Sequence, residues 1–431
     1  MSAGAVRSVK GTRDLLPPET AVWAAVENVA RRVFTAYGYG EVRTPVLEET
    51  DLFVRGVGAT TDIVGKEMYT FRDKKGRSLT LRPENTAPVV RAFVEHGMHQ
   101  LPAPVKLFYI GPQFRYERPQ AGRYRQFHQI GAELLGDPAP EADVEVILML
   151  MRFLRELRFT DLVVLLNTVG DQASRAVYGE ALRDFLRPHA EELGEDSRRR
   201  LETNPLRLLD TKDPRERELL AAAPALSEFL SAQCRAHFEC VTVALSEAGV
   251  PFEIEPRLVR GLDYYTETVF EIAAEGLGAQ NAVVGGGRYD GLVAELGGPD
   301  VPGVGFAIGE DRLIELLPEE FRRAHVPPAP VVVIPVGPAL QADALRVAET
   351  LRDAGVPALL EARRRSLGSA LRGAEKRGAR WVVLLFDEEA VKNEATLKDL
   401  TTGEQTVVAR SELPARLQQA APLPELARGR P

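Results

Sequence analysis

The chain has 431 residues, enough for two to three domains that each bury a core of their own. Hydrophobic residues make up 45% and charged residues 27%, as in ordinary globular proteins, and no apolar run reaches the roughly twenty residues that span a membrane. The net charge of −8 argues weakly against a nucleic-acid partner without excluding one, because such binding depends on local patches.

Cysteine usage and the first residues predict a cytoplasmic protein. Cys234 and Cys240 are the only cysteines and their spacing fits no zinc motif, so we interpret them as packing residues. The N-terminal sequence MSAGAVRSVKGTRDLLPPE lacks the apolar core of a signal peptide.

The first part of the chain predicts a helix, several strands and a second helix. Thr20–Tyr37 has the spacing of an amphipathic helix that ends at Gly38. The sequence GYGEVRTPVLEETDLF predicts a strand with Pro45 at a sheet edge, and Arg55–Arg77 predicts a loop with a short hairpin. SLTLRPENTAPVVRAFVEH then predicts a strand, a break, and a helix that begins near Thr86.

The stretch Ile110–Gly136 predicts two paired strands joined by an arginine-rich loop around a Pro-Gln-Ala-Gly turn. The loop arginines are Arg115, Arg118, Arg123 and Arg125. Guanidiniums on one hairpin repel each other unless an anion lies among them, and each presents a planar fork that matches phosphate. From this stretch alone, a phosphate site and an exposed hairpin balanced by Glu117 and salt are equally good interpretations.

The middle of the chain predicts a helical insertion between β-rich segments. Pro140–Leu157 is strongly helical, and the charged helical runs of Asn167–Arg257 predict an inserted subdomain. Glycine-rich, β-like sequence then returns through RGLDYYTETVFEI, NAVVGGGRYDGL and GVGFAIGEDRL. The proline-rich segment Pro318–Pro330 is predicted to be a linker.

The last part of the chain predicts a small α/β domain. VVVIPV and WVVLLF have the composition of buried strands, and Ala339–Ala354 is a predicted helix, which together favour a parallel or mixed sheet. Glu361–Arg380 has seven Lys or Arg against two Glu, with Arg372 and Lys376 on one helical face. This is either a solvated helix or a patch that holds a phosphate backbone. The tail from Pro422 is predicted to be disordered.

Three polar clusters outside the hairpin have both a structural and a functional interpretation. In Arg82–Thr86, Thr86 can be a helix N-cap and Glu84 a charge that favours the helix dipole. In Leu258–Thr266, the arginine and aspartate can buttress a turn, although many long polar groups precede an apolar run. The glycines of Val284–Leu292 permit a close ligand approach or only a tight bend, and no P-loop is present.

The histidines favour structural interpretations. His128 lies on the return strand of the hairpin, where a packing role is commoner than that of a general base. His96 and His99 are three apart on a helix, but no third metal ligand is evident nearby in the sequence.

Several of these segments resemble the motifs of class II aminoacyl-tRNA synthetases. Arg115-Tyr116-Glu117 after an apolar strand resembles motif 2, Gly305–Leu313 resembles motif 3, and Glu41–Glu48 resembles the dimer-forming motif 1. RGLDYYT and GGGRYDGL resemble the two histidine-specific motifs of the histidyl-tRNA synthetase family, and the resemblance extends from Gly11 to about Leu417.

The resemblance implies an α+β catalytic domain with an antiparallel sheet, a helical insertion and a C-terminal α/β anticodon-binding domain. The expected boundaries are 1–325 for the core, interrupted by the insertion at 167–257, then 326–421 for the anticodon-binding domain and 422–431 for a disordered tail. The implied protein is a cytoplasmic homodimeric ligase that uses ATP and Mg²⁺ to join L-histidine to the histidine tRNA.

The family's ATP-binding positions correspond to Arg115, Glu117, Arg123, Phe127 and Arg312. Arg115 is implied to hold the α-phosphate, and Arg260 faces it from the opposite side, so these two are the implied catalytic residues. Glu117 lies near the adenine and Phe127 stacks on it. Arg123 and Arg312 are implied to hold the outer phosphates. No metal-ligating residue is assigned, and Arg118 and Arg125 receive no role.

The family's histidine-binding positions correspond to Glu84, Asn85, Thr86, Gln129, Glu133, Tyr264, Tyr265 and Tyr289. Glu84, Thr86 and Gln129 are implied to recognise the α-amino group. Glu133 and Tyr265 are implied to read the imidazole, while Tyr264 and Tyr289 line the pocket. Two alternatives remain: a synthetase-like regulatory subunit of ATP phosphoribosyltransferase, which lacks the anticodon domain and an intact RGLDYYT, and a class II synthetase for threonine or proline.

Overall fold

The computed structural model describes residues 6–120, 122–274, 284–362 and 365–420, which form two compact units. The first unit comprises the residues up to Leu16 together with Val22–Arg322, and the second comprises Pro17–Ala21 and the residues from Arg323 onward. Among the described residues, no helix is both long and apolar enough to cross a membrane. The tail from Pro422, predicted to be disordered, lies outside the described residues.

The strands of the first unit form two sheets. In chain order the described strands are β1 (Gly40–Glu41), β2 (Leu47–Glu49), β3 (Tyr69–Arg72), β4 (Ser78–Leu81), β5 (Val105–Phe114), β6 (Gln126–Leu135), β7 (Leu162–Thr168), β8 (Phe252–Ile254), β9 (Thr266–Ala274), β10 (Val284–Arg288) and β11 (Gly303–Gly309). The large sheet has the order β1-β5-β6-β11-β10-β9-β7-β8, and the small sheet has the order β2-β4-β3. Apart from the parallel pairs β1–β5 and β7–β8, the described pairs are antiparallel, as expected from the resemblance.

The first part of the chain also contains the following helices. Those described up to the end of the first unit are α1 (Glu19–Ala36), α2 (Thr50–Val57), α3 (Thr86–Glu95), α4 (Pro140–Glu156), α5 (Gln172–Leu186), α6 (Glu195–Thr203), α7 (Pro214–Leu220), α8 (Ala232–Glu247), α9 (Leu292–Glu295), α10 (Glu310–Glu315) and α11 (Glu319–His325). A π-helical turn, Ile63–Glu67, and several 3-10 turns complete the set.

One face of the large sheet is an apolar core beneath α1 and α4. The predicted stripe of α1 is buried, because valines three and four residues apart lie on one side of a helix. Phe34 at the centre of this core contacts three aromatic rings with centroid separations of 5.5 to 5.7 Å: Phe108, Phe153 and Phe306. Ile130, Ala132 and Leu134 of β6 belong to this core, so the alternate residues of that strand lie on the opposite face.

The segment predicted as a helical insertion contains four of the described α-helices, whereas strand residues lie at both of its ends. These helices, α5 to α8, lie between β7 and β8. The leucines of α5, α6 and α7 form a core with the residues around Tyr264 and Tyr289, whereas Val241 and Leu245 of α8 belong to the core beneath α1 and α4. Asn167 and Thr168, predicted to begin the insertion, belong to β7, and Phe252–Ile254 near its end forms β8. Both strands pair at the edge of the large sheet, so tertiary pairing decided their structure.

Two predicted segments have a different structure. The strand predicted over GYGEVRTPVLEETDLF is interrupted around Pro45, which has no N–H to donate to a ladder, and its end forms α2. Phe53 and Val57, four apart, are both buried on α2, which is a helical spacing. The predicted linker Pro318–Pro330 contains α11, since Phe321 is buried in the core and anchors that turn of helix.

The second unit contains the predicted α/β arrangement. Its described strands are β12 (Val331–Pro335), β13 (Ala358–Leu360), β14 (Trp381–Leu385), β15 (Glu394–Asp399) and β16 (Gln405–Ala409). Its described helices are α12 (Gln341–Asp353), α13 (Leu367–Lys376), α14 (Asp387–Val391) and α15 (Leu413–Ala420). The sheet order is β13-β12-β14-β15-β16, with β12 parallel to β13 and β14 and the remaining pairs antiparallel. The expectation of a parallel or mixed sheet is confirmed.

Candidate active site

The polar face of the large sheet has a floor of glycines beneath large side chains. Glu133 on β6 lies in register with Gly305 on β11, which lies in register with Gly287 on β10. A Cβ atom at Gly305 would lie 1.9 Å from Oε2 of Glu133, and one at Gly285 would lie 1.9 Å from Nη2 of Arg260. Only glycine permits these side chains to lie flat on the backbone. The glycine-rich motifs therefore make room for a polar pocket.

Glu133 is the central acidic group of this pocket and is fully buried. Its Oε1 accepts a hydrogen bond from Thr86 Oγ1 at 2.8 Å, and its Oε2 accepts one from Tyr289 Oη at 2.7 Å. Burial, reinforced by the charge of Glu84 and only partly offset by these hydrogen bonds, raises the pKa of Glu133 to about 8. A ligand donor that reaches this carboxylate would stabilise its ionised form.

The segment Glu84–Thr86 is shaped by the start of α3. Glu84 accepts hydrogen bonds from the backbone N–H groups of Thr86 at 2.7 Å and Ala87 at 3.0 Å. Asn85 occupies the N-cap position, and its Oδ1 accepts from Thr44 Oγ1 at 2.8 Å. The interpretation of Thr86 as the N-cap is therefore wrong, because Glu84 caps the helix and frees the Thr86 hydroxyl for Glu133.

Gln129 contributes an acceptor that the protein leaves unsatisfied. Its side chain is buried, and its Oε1 has no hydrogen-bond partner in the part of the chain that the structure describes. A buried acceptor without a partner costs about 1–3 kcal/mol, which a donor on a ligand recovers. Gln129 is in register with Gly309 and lies two residues before Gly131 on β6. A primary ammonium group is a donor suited to this position.

Three tyrosines form the aromatic wall of the pocket. The rings of Tyr264 and Tyr265 lie 4.7 Å apart, and those of Tyr264 and Tyr289 lie 5.7 Å apart with their planes at 73°. Burial raises the pKa of each phenol, so the hydroxyls remain protonated donors at neutral pH. Sequence reasoning assigned Tyr289 only a lining role, whereas its hydroxyl binds Glu133 directly.

Tyr109 belongs to the same pocket and was missed by sequence reasoning. It is buried on β5 opposite Gly131, and a Cβ atom at Gly131 would lie 2.3 Å from its hydroxyl. Burial first, and then the charges of Glu133 and Glu84, raises the pKa of Tyr109. The available signal was the alternation of the strand, which puts Tyr109 and Gln113 on one face.

The arginines near the hairpin loop are arranged around Glu117. Nη1 of Arg115 lies 3.8 Å from Oε1 of Glu117, and Nη1 of Arg123 lies 3.8 Å from Oε2. Both distances exceed that of a hydrogen bond, and the Arg123 side chain is half exposed. Arg115 is oriented by a 2.8 Å hydrogen bond from Nε to the carbonyl of Pro83, and its guanidinium lies 5.4 Å from the Phe127 ring.

Arg312 and Arg260 approach the site from other elements. A Cβ atom at Gly122 in the loop would lie 3.8 Å from Cβ of Arg312, so α10 lies beside the loop. Arg260 is ion-paired with Glu271 of β9, and its guanidinium lies 5.9 Å from the ring of Tyr265. Burial disfavours its charge, but Tyr265 and Glu271 outweigh burial and raise the pKa of Arg260. The structure thus brings five predicted cationic or acidic side chains to one side of the sheet.

The remaining hairpin residues have structural contacts. The guanidinium of Arg125 lies 4.0 Å from the ring of Tyr116 and donates to the carbonyls of Glu117 and Lys10, both at 3.3 Å. The ring of His128 packs edge-on against Trp23 at 5.2 Å, which agrees with the packing interpretation. Within the described ranges, no cluster of three His, Cys, Asp or Glu side chains could hold a metal.

The basic stretch of the second unit is partly neutralised. Arg380 pairs with Asp399 at 3.0 Å, and Arg377 lies 3.6 Å from Glu361. Arg372 and Lys376 are both exposed on α13, on the face that the sequence predicted. Arg363 and Arg364 lie outside the described residues.

Comparisons with known proteins cover almost all of the chain. A family model described as Histidyl-tRNA synthetase matches residues 11–313, and one described as Anticodon binding domain matches residues 330–420. The histidine–tRNA ligase of Desulforudis audaxviator is 51% identical over 412 residues, covering 96% of this chain and 98% of that protein. The corresponding ligase of Nitratidesulfovibrio vulgaris (strain DP4) is 49% identical over 416 residues, covering 96% and 99%.

Solved structures agree with these sequence matches. The apo histidyl-tRNA synthetase of S. aureus superposes with a TM-score of 0.78 at 34% identity, covering 96% of this chain and all of that one (100%). The histidyl-tRNA synthetase of Nostoc sp. PCC 7120 has a TM-score of 0.68 at 24% identity, which bears on the fold alone. The expected fold class is confirmed.

Proposed function

Because the chain belongs to the histidyl-tRNA synthetase family, we propose that it activates L-histidine with ATP and then transfers the histidyl group to the 3′ end of the histidine tRNA. One observation carries the assignment of the site. A buried carboxylate, Glu133, is flanked by the donors of Thr86 and Tyr289 and by the unsatisfied acceptor of Gln129 on a floor of glycines.

Histidine would bind with its imidazole toward Glu133. The carboxylate accepts a hydrogen bond from one ring nitrogen, and the protonated phenol of Tyr265 faces the other. The α-ammonium group donates to the orphaned Oε1 of Gln129 and to free lone pairs of Glu84. A site that hydrogen-bonds its substrate in this way rejects analogues without those groups by about 10⁴–10⁵. Tyr264 and Tyr289 exclude water from the ring.

ATP would bind on the hairpin side of the same floor. Phe127 offers a half-buried ring for the adenine, and Glu117 can accept from its amino group. The outer phosphates replace the long contacts between Arg123 and Glu117, with Arg312 beside the loop as a further cation. Arg115, held by Pro83, presents its remaining guanidinium nitrogens to the α-phosphate.

In the first step a histidine carboxylate oxygen attacks the α-phosphorus of ATP. The bond to the bridging oxygen breaks, and pyrophosphate leaves with its electron pair. Arg115 and Arg260 approach from different elements, so they can stabilise the charge that develops on the non-bridging oxygens. In the second step a ribose hydroxyl of the terminal tRNA nucleotide attacks the carbonyl of histidyl-adenylate, and AMP leaves.

Mg²⁺ is proposed to enter as its complex with ATP. Mg²⁺ usually takes one or two protein carboxylates and completes its shell with phosphate oxygens and water. Glu67, which lies within electrostatic reach of Arg115 and Arg123, can supply one carboxylate of this kind. Mg²⁺ would supply charge neutralisation on the phosphates.

We also propose the dimer and the cytoplasmic location that the resemblance implies, together with a boundary near residue 325 between the catalytic core and the anticodon-binding domain. Exposed apolar side chains at and beside the small sheet support a second copy as partner, namely Val46, Leu47 and Phe71. Large apolar patches on a surface mark interfaces. Sedimentation of Phe71→Glu should show a shift toward monomer, whereas the exposed Val391→Glu should sediment as wild type.

ATP–pyrophosphate exchange with each amino acid in turn tests the proposed reaction. We expect exchange with histidine alone, followed by charging of the histidine tRNA. Exchange with no amino acid would favour the regulatory subunit of ATP phosphoribosyltransferase. Exchange with threonine or proline instead would overturn the assignment of the pocket.

A further inference from the structure

The segment 260–265, which carries Arg260 and the tyrosine pair, is held from outside by the inserted helices. Nη1 of Arg175 on α5 donates to the carbonyl of Tyr265 at 2.7 Å and to that of Asp263 at 3.2 Å. Nδ2 of Asn204 donates to Oδ1 of Asp263 at 2.8 Å. Nη2 of Arg207 donates to the carbonyl of Gly261 at 3.1 Å. The insertion therefore holds this segment by hydrogen bonds near both of its ends.

Asp263 is also held from the opposite side. Its Oδ2 accepts from Thr60 Oγ1 at 3.2 Å, and its N–H donates to the carbonyl of Val57 at 3.3 Å. Gly58 has φ of 102°, and a Cβ atom there would lie 2.4 Å from Oδ2. Gly58 is therefore required both by its backbone conformation and by the close approach of the carboxylate. The end of α2 and the insertion meet at this one aspartate.

Tyr264 and Tyr265 of the segment pack in a buried cluster, but packing is incomplete toward the insertion. A cavity of about 270 Å³, which we call the side cavity, lies between it and the insertion, and its lining includes Arg175, Asn204, Asp263, Arg260 and Tyr265. Where such a cavity separates two elements, dispersion contacts are lost and hydrogen bonds carry the positioning. Arg175 is therefore important for holding the segment in place. Burial lowers the pKa of its guanidinium, and the charge of Asp263 opposes that effect.

We infer that Arg175 and Asp263 are positioning residues that set the histidine affinity of the pocket from the inserted region, without touching a substrate. This inference rests on the proposed function. Displacing the carbonyl of Tyr265 moves the phenol that faces the imidazole and tilts the neighbouring Arg260. The affinity for histidine therefore depends on where α5 lies relative to the sheet, and a compound in the side cavity would act on the same affinity.

The test compares two arginines of α5 that both line the side cavity. Arg175→Met removes the donors to the tyrosine segment. Arg183→Met is the matched control, because Arg183 donates to the carbonyl of Leu201 and pairs with Glu180, both within the insertion. In histidine-dependent pyrophosphate exchange by the full chain, we expect Arg175→Met to raise the KM for histidine by roughly tenfold or more. The KM for ATP should change by less than about twofold in both variants.

Rescue and a second variant separate positioning from stability. Arg175→Lys keeps a charged donor, so its KM for histidine should lie between the values of Arg175→Met and the wild-type chain. A purely structural role for Arg175 would change only the unfolding midpoint. If Arg175→Met does not fold, Asn204→Ala removes the hydrogen bond from the insertion to the Asp263 side chain and should raise the same KM by less. Equal kinetics for Arg175→Met and Arg183→Met, or an unchanged histidine KM in Asn204→Ala, would overturn the inference.

The outcome for the wild-type chain distinguishes the two proposals. Wild-type chain without histidine-dependent exchange would overturn the proposed function and this inference with it. If the wild-type chain shows histidine-dependent exchange and the Arg175→Met and Asn204→Ala variants have the same kinetics, only the positioning role is overturned.

Discussion

Replacing Glu133 by glutamine should make the protein more stable and its histidine site weaker. Glu133 is buried and its pKa rises from an ordinary 4.5 to about 8. Glutamine has nearly the same shape and retains an acceptor for Thr86 or Tyr289. The substitution therefore removes the buried charge and preserves most of the packing.

The size of the stability effect follows from proton linkage. At pH 7 the unfolded carboxyl is ionised, while the folded one, with a pKa of about 8, is mostly protonated, so folding takes up a proton at a cost of about 3 kcal/mol. Below pH 4.5 the carboxyl is protonated in both the folded and the unfolded chain, so the contribution of Glu133 to stability is fully present. This stability is lost as the pH rises from 4.5 through 8, because the unfolded carboxyl ionises while the folded one stays protonated. The stability gain of Glu133→Gln should accordingly be largest at pH 8 and vanish near pH 4.5.

The affinity effect has the opposite sign. The carboxylate would accept a hydrogen bond from the imidazole, and a hydrogen bond to a charged group contributes about 1.5–3 kcal/mol. Its loss corresponds to a rise of roughly 10- to 150-fold in the KM for histidine. Thermal unfolding between pH 5 and 8, together with pyrophosphate exchange, measures both effects on the same samples.

Glu310→Gln is the matched control. Glu310 is also fully buried, its pKa is raised well above the ordinary range by burial, and neither carboxyl oxygen has a hydrogen-bond partner in the part of the chain that is described. It belongs to α10 and lies near Glu27 of α1, away from the tyrosine wall. The Glu310→Gln variant should be more stable than the wild-type chain and should keep the wild-type KM for histidine. A lower unfolding midpoint for Glu133→Gln at pH 7, or a wild-type histidine KM, would refute the reasoning.

Three further experiments test Arg260, the glycine floor and helix α13. Arg260→Ala should lower the rate of pyrophosphate exchange by about 10²–10³ while the dimer stays intact in sedimentation, and a wild-type rate would remove this residue from catalysis. Gly305→Ala forces the carboxylate of Glu133 aside and should raise the KM for histidine by about tenfold or more. The added methyl group of Gly309→Ala meets no atom within 4 Å, so this control should keep the wild-type KM. Equal effects of the two substitutions would contradict the glycine floor. The double variant Arg372→Glu with Lys376→Glu should spare exchange and weaken tRNA charging, and unchanged charging would separate α13 from the tRNA.

Segments with a strong local period were predicted correctly from the residues. The stripe of α1, the hairpin of β5 and β6, and the start of α3 follow from apolar spacing and turn residues that act over a few neighbours. Predictions failed where distant contacts outweighed local preference. Phe321 stabilises α11 inside a proline-rich segment, and pairing with β9 places Asn167 and Thr168 in β7 instead of the insertion.

The sequence by itself determined which residues we assign to the chemistry, because Arg115, Arg260 and Tyr265 belong to short motifs that can be read from a few neighbouring residues. Only the tertiary structure decided how they meet. Strand β11 lies between β6 and β10, so Gly305 and Gly287 line up beside Glu133 although they are far away along the chain. Lateral register of this kind is set by pairing across the sheet and has no local signature, which is why the pocket was not evident until the chain was folded.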